Sequence, residues 1–132
     1  MKQKVRISDA ELDIMRVLWQ SHNPMKASEI VKELSGDRTW KTQTCHVLLG
    51  RLAEKGYVDA DRSGYTHKFF PALSEEEFLA KQSSTLAERV GSTLPSMIAS
   101  LIDANNVTEE ELDEISALLA AKRRELANGK KN

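Results

Sequence analysis

The chain has 132 residues, 40% apolar and 30% charged, the size of one ordinary domain or of a small domain with an appendage, and too short for a multidomain enzyme. Nineteen basic against 20 acidic side chains leave a formal charge of -1, so composition forces neither disorder nor a polyanionic partner. No run approaches the ~18 apolar residues of a membrane span, Met1-Lys2-Gln3-Lys4 offers no signal peptide, and the single Cys45 can close no internal disulfide, so the chain reads as cytoplasmic, without membrane insertion.

Ser8 with Glu11 three residues on is a capping box, and Leu12, Met15, Val17, Leu18 and Trp19 follow at helical spacing, which predicts a first helix from about residue 9 to 20. Asn23-Pro24 breaks the chain. Ala27, Ile30, Val31 and Leu34 predict a short second helix over 27–35, stopped by Ser35-Gly36. After a polar turn to Lys41, the stripe Cys45, Leu48, Leu49 and Leu52 predicts a third helix over 42–55, starting near Lys41 or Thr42 and closing on the basic last turn and glycine of Lys55-Gly56. The period then changes. Tyr57-Val58, a turn tipped by Gly64, and alternation from Tyr65 to Phe70 up to Pro71 predict a two-stranded hairpin. Three helices followed at once by a hairpin is the order of a winged helix-turn-helix.

Beyond Pro71 the pattern is helical throughout. Ser74 with Glu75, Glu76 and Glu77 opens a helix whose apolar positions are Phe78, Leu79, Leu86 and Val90, interrupted at Gly91. Ser92 to Ala104 forms the next, with Pro95 tolerable only in its first turn, and Thr108 with Glu111 opens a last helix through Leu126 ahead of the tail 128–132. Charge divides at Pro71: residues 1–71 carry net +3 and residues 72–132 net -4, and six of the seven aromatics lie in the first part. The expected fold is therefore mainly α with a small β-hairpin, divided into a winged-helix DNA-binding domain (1–72) and a helical dimerisation domain (73–132). Phe78, Leu94, Met97, Ile98, Leu101, Ile102, Leu112, Ile115 and Leu119 are more apolar side chains than a three-helix tail can hide, which predicts a homodimer.

The third helix separates two faces. Cys45, Leu48, Leu49 and Leu52 point inward, leaving Lys41, Thr42, Gln43, Thr44, His46, Val47 and Arg51 as candidates for base edges and nearby phosphates in a major groove. Arg62, Tyr65, His67 and Lys68 on the hairpin are candidates for phosphate contacts, which add affinity without sequence information. Gly50 inside the helix costs about 1 kcal/mol against alanine; either it is merely tolerated or another surface approaches closely there. Catalytic and metal chemistry find no footing. The chain has no HExxH, CxxC, GxSxG or glycine-rich phosphate loop. Cys45 and His46 point about 100° apart on a helix, and His46 and His67 have no carboxylate or thiolate partner at ligand spacing, so no enzyme, metal or cofactor is expected. A winged helix serving only as a protein-interaction adaptor is the competing reading.

Three stretches carry a resemblance: Ile7-Ser8-Asp9-Ala10-Glu11-Leu12-Asp13-Ile14-Met15 with Val17-Leu18-Trp19, then Thr39-Trp40-Lys41-Thr42-Gln43-Thr44, then Leu48-Leu49-Gly50-Arg51-Leu52 with Lys55-Gly56. Together they resemble the BlaI/MecI/CopY family of penicillinase-type and copper-responsive repressors, over essentially the whole chain. The resemblance implies a homodimeric repressor of transcription on a dyad-symmetric double-stranded DNA operator, often beside a gene for a membrane sensor protease. Two departures stand out. The β-lactam branch is cut at an Asn-Phe bond, and Ser100-Leu101 stands at the corresponding place. The copper branch has C-terminal Cys-x-Cys pairs, and the tail from Lys122 has no cysteine.

Overall fold

The computed structural model describes residues 6–34 and 40–129. In chain order these form α1 (Asp9–Gln20), α2 (Ala27–Leu34), α3 (Thr42–Glu54), β1 (Val58–Asp61), β2 (Lys68–Pro71), α4 (Glu75–Val90), α5 (Leu94–Ala104) and α6 (Glu109–Gly129). The expected stop of α2 at Ser35-Gly36 and the motif residue Thr39 lie outside the described residues. The starts of α1, α4, α5 and α6 are each set locally by a side-chain cap, whereas α3 has its N-cap at Lys41 without one. Ser8 Oγ accepts from the Glu11 N–H and Glu11 Oε1 accepts from the Ser8 N–H, and the same reciprocal pair recurs as Ser74 with Glu77 and as Thr108 with Glu111. α5 begins two residues later than the expected Ser92, because Thr93 takes the cap and its Oγ1 accepts from the Ser96 N–H.

The chain divides into two compact units, Met1–Leu86 and Ala87–Asn132. In the first, Ile14, Met15 and Leu18 of α1, Ala27 and Ile30 of α2 and Cys45, Leu48, Leu49 and Leu52 of α3 converge with Tyr57, Val58 and Phe78 on one core. The strands pair antiparallel with Val58 opposite Pro71 and Asp61 opposite Lys68. β2 also has a second neighbour: Phe69 exchanges both backbone hydrogen bonds with Met25, in the turn between α1 and α2, at 2.7 and 2.9 Å. The wing is thereby tied to the helix-turn-helix rather than hanging from it.

Phe78 corrects the sequence reading, which assigned it to dimerisation. It is 7% exposed in the core of the first unit, with its ring centroid 5.1 Å from Trp19 and 5.4 Å from Tyr57. Trp19 Nε1 donates to the Leu73 carbonyl at 3.0 Å, and Gln82 Nε2 donates to Tyr57 Oη at 3.2 Å. These contacts draw the first turns of α4 onto the winged helix, which is why the first compact unit ends at Leu86 and not at the expected residue 72.

The second unit is different in kind. Neither α5 nor α6 buries a single residue, and Leu101, Ile102, Val107, Ile115 and Leu118 line an open apolar hollow between them. Among the described residues no helix is long and apolar enough to cross a membrane.

Candidate nucleic-acid interface

α3 is fixed at its C-terminal end by backbone geometry. Lys55 is its C-cap, Gly56 adopts φ +85°, and the N–H groups of Gly56 and Tyr57 return to the carbonyls of Ala53 and Leu52 at 3.0 and 2.9 Å. This paired closure requires a left-handed residue, which glycine supplies without strain. Lys55 adds a second restraint: its ammonium lies 2.8 Å from Glu11 Oε1, which is buried at the start of α1. Burial alone would raise the Glu11 carboxyl. The Lys55 hydrogen bond, the Ser8 N–H and the Lys55 charge outweigh it and hold the group below its ordinary value.

With the buried stripe against the core, the rest of α3 faces outward. Lys41, Thr42, Gln43, Thr44, His46, Val47 and Arg51 are all exposed. At 100° per residue, Gln43, Val47 and Gly50 run down the centre of that face, with His46 on one flank and Thr44 and Arg51 on the other. The first turn holds no acidic residue, and Lys41 at the N-cap makes no side-chain cap bond, so nothing negative opposes a phosphate there. Cys45 sits on the opposite face, where burial pushes its thiol up to about 11 and keeps it protonated and unreactive at neutral pH.

The wing is shorter than the alternating pattern suggests. β2 starts only at Lys68, so Tyr65 and His67, expected on the strand, lie in the connection before it, exposed. The tip is ordered by Asp61, whose Oδ1 accepts from both the N–H and the Oγ of Ser63, at 3.0 and 2.7 Å; Arg62 lies between them, exposed. The Ser63 bonds, with a lesser contribution from the Lys68 charge, hold the Asp61 carboxyl below its ordinary value. Lys68, its ladder partner, therefore has an anion beside it. His46 of α3 meets Phe69 of β2 edge-on, centroids 6.2 Å apart. Arg51, Arg62 and Lys68 thus lie on α3, the wing tip and β2, all within the first unit. Sequence reasoning overlooked Met25, Glu11 with Lys55, and Asp61. The Asp-x-Ser spacing at the tip could have revealed the last.

A helix-turn-helix whose second helix presents an exposed polar face, followed at once by a hairpin tied back to the first turn, is a winged helix. The family model of the penicillinase repressor matches residues 7–121, and the chain belongs to that family of repressors. It is similar to the penicillinase repressor of Bacillus licheniformis, at 32% identity over 120 residues, 90% of this chain and 93% of that protein. It is also similar to the methicillin resistance regulatory protein MecI of Mammaliicoccus sciuri, at 23% identity over 117 residues, 88% and 94% of the two chains. Among solved structures it resembles the monomeric form of Bacillus licheniformis BlaI in complex with the blaP half-operator, with 36% identity over 58% of this chain and 93% of that one, at a TM-score of 0.46.

Proposed function

We propose that this protein is a cytoplasmic, non-enzymatic transcriptional repressor that binds a dyad-symmetric double-stranded DNA operator as a homodimer, with no cofactor. The observation that carries the reading is the outward face of α3, where every candidate residue from Lys41 to Arg51 is exposed while Cys45, Leu48, Leu49 and Leu52 are buried. Gln43, Thr44, His46, Val47 and Arg51 are the set that reaches base edges, and Lys41, Thr42, Arg62, Tyr65, His67 and Lys68 hold phosphates on either side. A second copy supplies what α5 and α6 lack: Leu94, Ile98, Leu101, Leu112 and Leu119 are exposed and Met97, Ile102 and Ile115 only partly buried within the chain, and pairing removes them from water. Residues 73–132 then serve dimerisation, with the first turns of α4 serving the head. A cut in α5 would sever the dimer face, but Ser100-Leu101 stands where the β-lactam branch has Asn-Phe, so a membrane sensor protease of the penicillin-responsive type is expected to cut this chain poorly, and Ser100→Asn with Leu101→Phe to improve cutting.

Selection from a randomised duplex library, with sedimentation of the free and bound protein, tests this. The expected result is enrichment of an inverted repeat bound by two chains. A protein that enriches no sequence and binds no duplex at low salt is an interaction adaptor instead.

A further inference from the structure

Gly50 is an exposed glycine in the interior of α3 that nothing among the described residues requires. A Cβ built on it meets nothing within 4 Å, it is absent from the positive-φ residues, and the residue is solvent-exposed. Glycine in a helix interior is disfavoured relative to alanine, so the chain carries a local defect that its own packing does not demand. Its position is specific. It falls on the centre of the outward face, two turns beyond Gln43 and one beyond Val47, with His46 and Val47 on the preceding turn and Glu54 on the following one. Val47 is 53% exposed, so the side chains around Gly50 stand proud while Gly50 itself leaves a notch.

We propose that this notch is where the duplex comes closest to the backbone of α3, so that Gly50 sets the depth at which the helix seats in the groove. A methyl group at this position would hold the helix back by about the width of a carbon atom. Gln43 and Arg51 would then fall short of base edges, whose hydrogen bonds fail beyond roughly 3.2 Å. Glu54, on the same face, keeps the next turn away from the phosphates and confines the close approach to Gly50. This inference rests on the DNA-binding reading and refines it by assigning Gly50 a role in specificity that is steric rather than chemical.

The experiment compares the full chain with Gly50→Ala and Gly50→Leu, using the duplex that wild type selects from a randomised library and a random duplex of equal length. The Ala variant is expected to melt a few degrees higher than wild type, because alanine is the better helix former and the space is open. It is expected to bind the selected duplex at least tenfold more weakly with the same salt slope, since no phosphate contact is removed, and the Leu variant more weakly still. Stability up with affinity down is a combination that a merely tolerated glycine cannot give. Unchanged affinity for the selected duplex in Gly50→Ala overturns the inference and leaves DNA binding standing. A lower melting temperature overturns it by revealing an internal need for the glycine. If wild type enriches no duplex, the DNA-binding reading falls and takes the inference with it.

Discussion

The ring of Phe78 lies against that of Trp19, centroids 5.1 Å apart and planes inclined by 56°, so the first turns of the helical tail are part of the DNA-reading head. Trp19 is held in turn by its indole N–H on the Leu73 carbonyl. The head therefore needs chain beyond Pro71. A protein truncated after Pro71 loses Phe78, Gln82 and the Leu73 carbonyl, and is expected to unfold or melt far below one ending at Leu86. Within the full chain, Phe78→Ala is expected to cost the head about 3 kcal/mol, the low end for removing a buried phenyl ring, while the chain still sediments as a dimer. Denaturation and sedimentation on the same sample check this. A variant that turns monomeric with the head's stability intact would return Phe78 to the dimer face.

This pair also marks where sequence reading stops. The starts of α1, α4 and α6 were legible because Ser8 with Glu11, Ser74 with Glu77 and Thr108 with Glu111 are interactions over three residues, contained in the local sequence. The faces of α3 were legible because Cys45, Leu48, Leu49 and Leu52 fix its rotation against the core. Phe78 was assigned to an apolar stripe correctly, but a stripe does not say which surface covers it. The bridge from Met25 to Phe69 is a pairing across 44 positions, and the segment around Met25 shows no strand pattern of its own, so periodicity had nothing to detect there. Tyr65 and His67 fell off the strand because alternation continues through a polar turn as readily as through a ladder.

Asp61 gives the wing a separable charge effect. Arg62→Ala and Lys68→Ala are expected to weaken binding to selected and random duplexes alike and to reduce the logarithmic salt slope by about 0.9 per lost phosphate contact. Gln43→Ala and Arg51→Ala are expected to cost about 1–3 kcal/mol on the selected duplex and much less on the random one. Asp61→Asn preserves an acceptor for Ser63 and removes the anion opposite Lys68, so it is expected to tighten binding to random DNA and steepen its salt dependence. Fluorescence anisotropy across a salt series separates these outcomes; equal losses on both duplexes for Gln43→Ala would show that the helix face is misassigned.

Glu11 makes the seating of α3 sensitive to acid. Its carboxyl titrates below the ordinary value of 4.5 in the folded chain. The stabilisation it gives is therefore complete above that value, and is lost as pH falls through the lower, folded pKa. The Lys55 side chain is 19% exposed and can reach water when its partner is neutral, so Glu11→Gln is expected to cost about 2 kcal/mol at pH 7, below the range for a fully buried pair. That difference from wild type should shrink as pH drops below 4.5. Chemical denaturation at pH 7 and at two acid points measures it; a gap that stays constant or widens in acid would mean that the ion pair is not what stabilises this corner.

The proposed dimer face is open to the most direct attack, because most of its side chains are already exposed in the single chain. Leu101 and Leu118 are 62% and 69% exposed and line the hollow between α5 and α6. An arginine at either position costs the isolated chain little, since no buried contact is broken. In a dimer that covers these positions, the same arginine places an unpaired charge in an apolar interface, where desolvation opposes association by several kcal/mol. Leu101→Arg with Leu118→Arg is thus expected to sediment as a monomer whose head melts like wild type. Binding to a single half-site should be unchanged, while binding to the full inverted repeat should fall by about 100-fold or more, because each head loses the effective concentration supplied by its tethered neighbour. That divergence between half-site and full site is what identifies the tail as a clamp rather than a second reading surface. A doubly substituted chain that still sediments as a dimer would place the interface elsewhere on α4 to α6, and Leu79, Leu86 and Val90, exposed along α4, would be the next positions to charge.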